Sequence, residues 1–316
     1  MKAKNIFTLI FAAAALCACS SGDDGAQTPP ATPPTTEPAD PTDPQAKLPI
    51  NISTSLVQLS STRVTDYAFE AGDKIGLYVV NRTAEGAAQP LKPTGNHVDN
   101  MAFTYSGTWT PATPIYWLDD KTHADFYLYY PYRADMANVE SMAVSLNADQ
   151  STEEAYKASD FLVGSATDVA PTEQAVSIAS RHLMSQMLIT LVPGNGFTDE
   201  TLAAANVSVR INAAMTNATV SLASATVSPT GATSAITPLK TGEFSYKALI
   251  VPQEINAGNL ITVTVDGRDF NLPRTISLES GHLYRCTVTL SKTSNGINVS
   301  IDRWQDDGVD YGGTAE

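Results

Sequence analysis

Short apolar runs with a period of two recur from residue 50 to the C-terminal region, and they restrict the fold more than any other feature. In each run apolar side chains alternate with polar ones, as they do in half-buried β-strands. Gly, Pro, Asn and Asp separate the runs, which is typical of a β-sandwich. The predicted strands lie at residues 50–59, 75–79, 126–130, 176–178, 187–191, 207–211, 220–222, 249–251, 261–265, 284–290 and 297–301. The sequence therefore predicts an all-β fold.

Local signals predict two turns and two short helices. Asp266-Gly267 lies between two apolar runs, and this dipeptide favours a two-residue hairpin. Thr198 is a predicted N-cap for a helix over residues 201–205. A single helical turn is predicted over residues 153–158. Residues 194–196 read Gly-Asn-Gly and lack the third glycine of a phosphate loop, so we interpret them as a turn.

The length of the β region favours two domains in series. One sandwich closes at about 100 residues, and the chain continues to residue 316. We place the boundary near residues 182–186, between two strand-like runs. This gives an N-terminal sandwich over residues 50–184 and a C-terminal sandwich, with an acidic tail, over residues 185–316.

The N-terminus has the pattern of an export signal that ends in a lipid-attachment cysteine. A basic head precedes an apolar run over residues 6–18, which is shorter than a membrane-spanning helix of about 20 residues. The tetrapeptide Leu-Cys-Ala-Cys that ends at Cys19 resembles the lipobox of bacterial lipoproteins. This resemblance implies that residues 1–18 are a signal peptide and that Cys19 carries lipid. An ordinary signal with an incidental cysteine is the alternative. Residues 20–24 resemble a tag that directs such lipoproteins to the outer surface.

Residues 19–49 are predicted to form a spacer between the lipid and the folded part. Eight of the 19 prolines lie in residues 25–49, mixed with Thr, Asp and Ala. Such a segment buries almost nothing and favours extended polyproline II. The predicted location is therefore the outer membrane, with the folded part exposed at the cell surface.

The charge balance restricts the class of partner. The chain has 33 acidic and 19 basic side chains, a net charge of −14. A nucleic-acid partner is disfavoured, because phosphate backbones attract stripes of Lys and Arg that this sequence lacks. An acidic surface suits a protein that must stay soluble outside the cell.

The sequence contains no motif for catalysis or metal binding. The four histidines are far apart, and no His-x-x-x-His or Cys-x-x-Cys pair has metal-ligand spacing. A Gly-x-Ser-x-Gly motif is also absent. Residues 306–310 are acidic around a glycine, but they lack the spacing of an EF-hand loop, so we interpret them as a solvated tail. Cys286 lies on the apolar face of its run and is interpreted as a core residue rather than a nucleophile. We predict no enzyme activity and no cofactor.

Several short segments occur in a fixed order along the chain: FEAGDKIGLY at 69–78, YW at 116–117, DFYLYYPY at 125–132, SDFL at 159–162, RH at 181–182, LIVPQ at 249–253, GHLY at 281–284, and Trp304. Together they resemble the fimbrillin family, the Mfa-like pilin subunits of type V pili. The resemblance implies two transthyretin-like β-sandwiches and export as a lipoprotein. It also implies a structural subunit (shaft, tip or anchor) of a cell-surface fimbria that serves adhesion. Its partners would be other fimbrial subunits, the outer membrane through the lipid on Cys19, and surface ligands of host or bacteria.

The resemblance also implies an assembly mechanism. An arginine-specific protease removes the first strand, and a strand from a neighbouring subunit fills the groove. Here the first strand covers residues 50–59, and its apolar side chains are Ile50, Ile52, Leu56 and Leu59. Arg63 follows, and it is the only basic residue between Lys47 and Lys74, so it is the candidate cleavage site. A surface arginine in an uncut loop is the alternative.

The C-terminal segment at residues 297–301 is the candidate donor strand. The residues after Trp304 are acidic and glycine-rich, with only Val309 and Tyr311 as apolar side chains. A donor strand with so few apolar side chains favours an accessory, tip or anchor subunit over a shaft subunit.

A second hypothesis is a surface glycan-binding lipoprotein that feeds a polysaccharide transporter, since such proteins share the lipid, the linker and tandem sandwiches. An exposed Trp109 or Trp117 would favour glycan capture. Buried tryptophans and a removable first strand would favour the fimbrial subunit.

Overall fold

The computed structural model describes residues 47–56, 68–256, 258–292 and, for the backbone alone, 299–303. These residues form two short helices, α1 (Glu153–Lys157) and α2 (Asp199–Ala203), and nineteen strands. The strands are β1 (Ile52–Leu56), β2 (Lys74–Asn81), β3 (Val98–Tyr105), β4 (Trp109–Pro111), β5 (Ala124–Tyr130), β6 (Met142–Ser145), β7 (Leu162–Val169), β8 (Val176–His182), β9 (Ser185–Pro193), β10 (Val207–Ser221), β11 (Thr226–Ile236), β12 (Leu239–Lys240), β13 (Ser245–Ile250), β14 (Glu254–Asn256), β15 (Ile261–Val265), β16 (Arg268–Leu272), β17 (Thr275–Ser277), β18 (Leu283–Leu290) and β19 (Val299–Arg303). The predicted all-β fold class is confirmed.

The N-terminal half forms a seven-stranded sheet in the order β1-β8-β7-β5-β2-β3-β4. All neighbours are antiparallel except β1 and β8, which are parallel. The predicted alternation in β2 is confirmed, because Ile75, Leu77 and Val79 point into one core. The opposite face of the sheet is also buried, since Tyr78 and Tyr129 belong to a second core.

The C-terminal half contains two five-stranded sheets. One has the order β12-β13-β9-β18-β19, and the other has the order β11-β10-β15-β16 with β6 also paired to β10. Both sheets contribute apolar side chains to a third core, which is the packing of a β-sandwich. β14 and β17 form a separate two-stranded ribbon.

Strand β10 joins elements from both sides of the predicted domain boundary. Its first residues pair with β15, from Val207 to Ile211, and later residues pair with β6, from Asn217 to Val220. The buried side chain of Gln150 donates to the carbonyl of Leu249 and accepts from its N–H, each at 2.8 Å. The two halves therefore share hydrogen bonds and the second core. The tandem arrangement, its transthyretin-like character and the boundary near residue 184 stay predictions.

The predicted hairpin, the helical turn near residues 153–158 and the helix cap at Thr198 are confirmed. Asp266 and Gly267 have φ values of 47° and 80°, as a type I′ turn between β15 and β16 requires. Thr198 caps α2, but the helix begins at Asp199, two residues before the predicted start. The reason is that the Thr198 hydroxyl accepts from the N–H of Thr201, which makes Thr201 the third helical residue.

The prediction of two separate strands at residues 207–211 and 220–222 is wrong, because residues 207–221 form the single strand β10. Bulges between residues 211 and 217 shift the phase of its side chains. The buried positions are therefore odd-numbered at Val209 and Ile211 and even-numbered at Ala214, Ala218 and Val220. Because the alternation of buried side chains changes phase at the bulges, the sequence of this one strand looks like two strands separated by a gap.

Candidate assembly site at the first strand

Strand β1 lies at the edge of the seven-stranded sheet. It pairs in parallel with β8, from Ile52 opposite Val176 to Leu56 opposite Ser180. Within the described part of the chain, no other strand pairs with its outer side. An edge strand is held by one ladder of hydrogen bonds instead of two, so fewer bonds must break for it to leave the sheet. The described strand covers Ile52–Leu56 of the predicted 50–59.

The residues before β1 are held by a different part of the fold. The N–H of Ile50 donates to the carbonyl of Ile115, and the N–H of Trp117 donates to the carbonyl of Leu48, both at 2.9 Å. Pro49 and Tyr116 form an isolated antiparallel bridge between these bonds. The first segment therefore joins the loop at residues 115–117 to strand β8.

The side chains of the first segment are buried to different extents. Ile50 and Ile52 are 2% and 6% exposed and belong to the core beneath the sheet, whereas Leu56 is half-buried. The side chain of Thr54 is held by a hydrogen bond, because its hydroxyl accepts from the indole N–H of Trp109 at 2.8 Å. The apolar anchors are thus concentrated at the beginning of the segment.

Sequence reasoning missed two contacts of the first segment, the 115–117 loop and the Trp109–Thr54 hydrogen bond. Tyr116-Trp117 carried part of the family resemblance, so a signal for this loop was present, but its pairing with residues 48–50 is non-local. Trp109 is 9% exposed and Trp117 is 2% exposed. Neither indole presents an open face on which a sugar ring could stack.

The remaining predicted site residues have different outcomes. Cys19, Leu59 and Arg63 lie outside the described residues, as do Trp304 and the acidic tail. The lipid attachment and the cleavage site therefore stay predictions. Of the candidate donor strand at 297–301, the described residues begin at Val299 and belong to β19, which pairs antiparallel with β18 of the same chain.

The described residues contain little that could support catalysis. No three His, Cys, Asp or Glu side chains among them are close enough to hold a metal ion. Cys286 is 2% exposed in the C-terminal core, and burial raises the pKa of its thiol to about 12, which confirms its interpretation as a core residue. No helix in the described part of the chain is sufficiently long and apolar to cross a bilayer.

Comparison with known proteins identifies the family. The model of the family described as "Fimbrillin-like" matches residues 62–304. A relative from Bacteroides uniformis, named "Putative fimbrium subunit Fim1C", is 29% identical over 317 residues, which cover 96% of each chain. A "Putative fimbrium tip subunit Fim1C" from Bacteroides ovatus is 28% identical over 148 residues, which cover 42% of this chain and 26% of the relative.

Two crystal structures share the fold. A "putative cell adhesion protein" from Bacteroides uniformis matches with a TM-score of 0.62 and 24% identity, over 84% of this chain and 100% of the other. A second, from Bacteroides ovatus, matches with a TM-score of 0.63 and 20% identity, over 83% and 99%. Because the family model spans most of the sequence, the chain belongs to the fimbrillin-like family, whose members are structural and adhesion proteins rather than enzymes.

Proposed function

We propose that this protein is a structural subunit of a type V fimbria and that it joins its neighbours by exchange of the first strand. It reaches the cell surface as a lipoprotein through Cys19. Cleavage after Arg63 then frees the first segment, and an extended strand of another subunit takes its place. The observation that carries this proposal is the edge position of the first segment: Ile50 and Ile52 are buried, and among the described strands only β8 pairs with β1.

The burial free energy of the first segment is large enough to hold it in place and small enough for another strand to replace it. Burial of Ile50 and Ile52 is worth about 3–6 kcal/mol together, as an upper estimate. A whole domain is stable by only about 5–15 kcal/mol. Loss of the segment would therefore leave the subunit close to unfolding, and an incoming strand with equivalent side chains would restore most of the lost burial.

The groove would also offer main-chain partners to an incoming strand. With β1 gone, the outer edge of β8 and the backbone of Ile115 and Trp117 would lose their hydrogen-bond partners. Unpaired backbone groups at a sheet edge bind an extended peptide by β-augmentation. The isoleucine sites would then select the side chains of the donor.

We assign the chain an accessory, tip or anchor position rather than the shaft. Its tail after Trp304 contains few apolar residues for insertion into another groove. We do not propose glycan capture, because the two tryptophans that would have favoured it are buried.

Limited proteolysis tests the proposal. The full chain is treated with an arginine-specific protease and analysed by mass spectrometry and by an unheated SDS gel. We expect one cut after Arg63 and then an SDS-resistant complex with a fimbrial subunit that supplies a donor strand, because the tail of this chain has too few apolar side chains to form a ladder by itself. Arg63→Lys should abolish both, whereas Arg210→Lys, on an exposed position of β10, should change neither. A chain that stays uncut and runs as a lone monomer would refute strand exchange by this route.

A further inference from the structure

A cleft opens beside the end of β1, where α1 and the ends of β5, β7 and β8 meet. It has about 560 Å³ of empty space, part of it open to solvent. Its apolar walls are Leu56, Phe69, Tyr130, Tyr156 and Leu162. Phe69 and Tyr130 meet edge to face, with ring centroids 5.9 Å apart.

Three carboxylates line the same cleft as one ammonium group and one imidazole. Glu70 is paired with Lys157, with 2.7 Å between oxygen and nitrogen. Asp160 lies 2.9 Å from Nδ1 of His182. Asp73 accepts from the N–H of Glu70 at 2.8 Å and from the hydroxyl of Tyr130 at 3.3 Å. No cationic side chain of the described residues lies within 4.0 Å of Asp73.

Burial and the negative charge of the cleft together raise the pKa of Tyr130, whose hydroxyl lies beside Asp73. Burial is the main reason that the pKa of Tyr130 is raised to about 12, and the charges of Asp73, Asp160 and Glu70 add to the effect. The three carboxylates therefore act on one point in the cleft. A cation placed there would be attracted by the same charges.

We propose that this cleft binds one basic side chain, an arginine, presented by a partner protein. The planar guanidinium can stack on an aromatic ring and donate two N–H groups to one carboxylate. Asp73 provides a carboxylate that no cation of the described residues approaches within 4.0 Å, although the charge of Lys157 acts on it from a greater distance. The apolar walls cover the methylene stem of the arginine. A metal ion does not fit, because no three potential ligands among the described residues are close enough together. The site uses Leu56 with β1 in place, so it does not depend on strand exchange.

Titration with N-acetyl-arginine amide tests this site. The full chain, purified in mild detergent, is followed by amide NMR, and the N–H of Glu70 is the reporter because it donates to Asp73. We expect saturable shifts at Glu70 and around His182, and weaker binding as the salt concentration rises. N-acetyl-citrulline amide, which has the same shape without the charge, should give no saturable shift.

Two isosteric variants and one control test which carboxylates bind the arginine probe. Asp73→Asn and Asp160→Asn should each weaken binding by about tenfold. Glu243→Gln, an exposed change in the C-terminal half, should leave it unaltered. Unchanged affinity in Asp73→Asn, or equal affinity for the citrulline probe, would overturn the proposal. Saturable binding of a neutral oligosaccharide at Glu70 with no binding of the arginine probe would also overturn it. If an aspartate variant does not fold, the comparison of arginine with citrulline on the native chain decides alone.

Discussion

Truncation of Ile52 should reveal how strongly the first strand is held. Ile52 is 6% exposed in the core beneath the seven-stranded sheet. Ile52→Ala removes buried methyl groups and leaves a cavity, and such changes cost about 2–5 kcal/mol. This cost is comparable to the upper estimate of about 3–6 kcal/mol for both isoleucines of the segment. One substitution should therefore remove a large part of what holds β1.

Urea unfolding followed by tryptophan fluorescence would measure this cost, because Trp109 and Trp117 belong to the same core as Ile52. The matched control is Ser53→Ala, on the exposed face of the same strand. We expect Ser53→Ala to change the free energy of unfolding by no more than about 0.5 kcal/mol. If Ile52→Ala costs no more than Ser53→Ala, β1 is not anchored by its side chains, and the groove could not select a donor strand by its side chains.

Three further perturbations test other contacts. Thr54→Val removes the acceptor of the Trp109 indole N–H and should cost about 1–3 kcal/mol in urea unfolding, whereas Thr54→Ser should retain most of the stability. Gln150→Leu leaves both backbone groups of Leu249 buried without a partner, and should cost about 2–4 kcal/mol in the same assay. Because burial raises the pKa of Cys286 from 9.0 to about 12, its thiol binds a proton more tightly in the folded state. The free energy of unfolding should therefore fall as pH rises above about 9, by up to about 1.4 kcal/mol per pH unit, and Cys286→Ala should remove this contribution.

The sequence predicts strands well where burial follows a simple period. The runs in β2 and β5 alternate because side chains such as Leu77 and Leu128 enter one core, whereas the tyrosines on the opposite face enter another. β11 was missed because its side chains are small, mostly polar and largely exposed, so they give no apolar period. The two-residue hairpin was predictable because the conformation of Asp266-Gly267 depends on those two residues.

Long-range pairing was not predictable from residue patterns. β1 pairs with β8, which is more than a hundred residues away in the sequence, and no local signal specifies that partner or the parallel direction. The acidic cleft could not be predicted for the same reason. Asp73, Asp160 and His182 come from three separate segments, and only the sheet order brings them together. The side chains of a site can be noted in a sequence, but their proximity is a property of the topology.

The uneven burial along the first segment predicts the direction in which a new strand would enter. Ile50 is 2% exposed and its N–H is bonded to Ile115, whereas Leu56 is half-buried beside the cleft. The end at Leu56 should therefore open first, because less apolar area is exposed when it leaves. We expect Leu56→Ala to cost less than half as much free energy of unfolding as Ile50→Ala, measured by urea unfolding. Equal costs for the two changes would show that the segment is held uniformly, and replacement would then have to displace it as one unit.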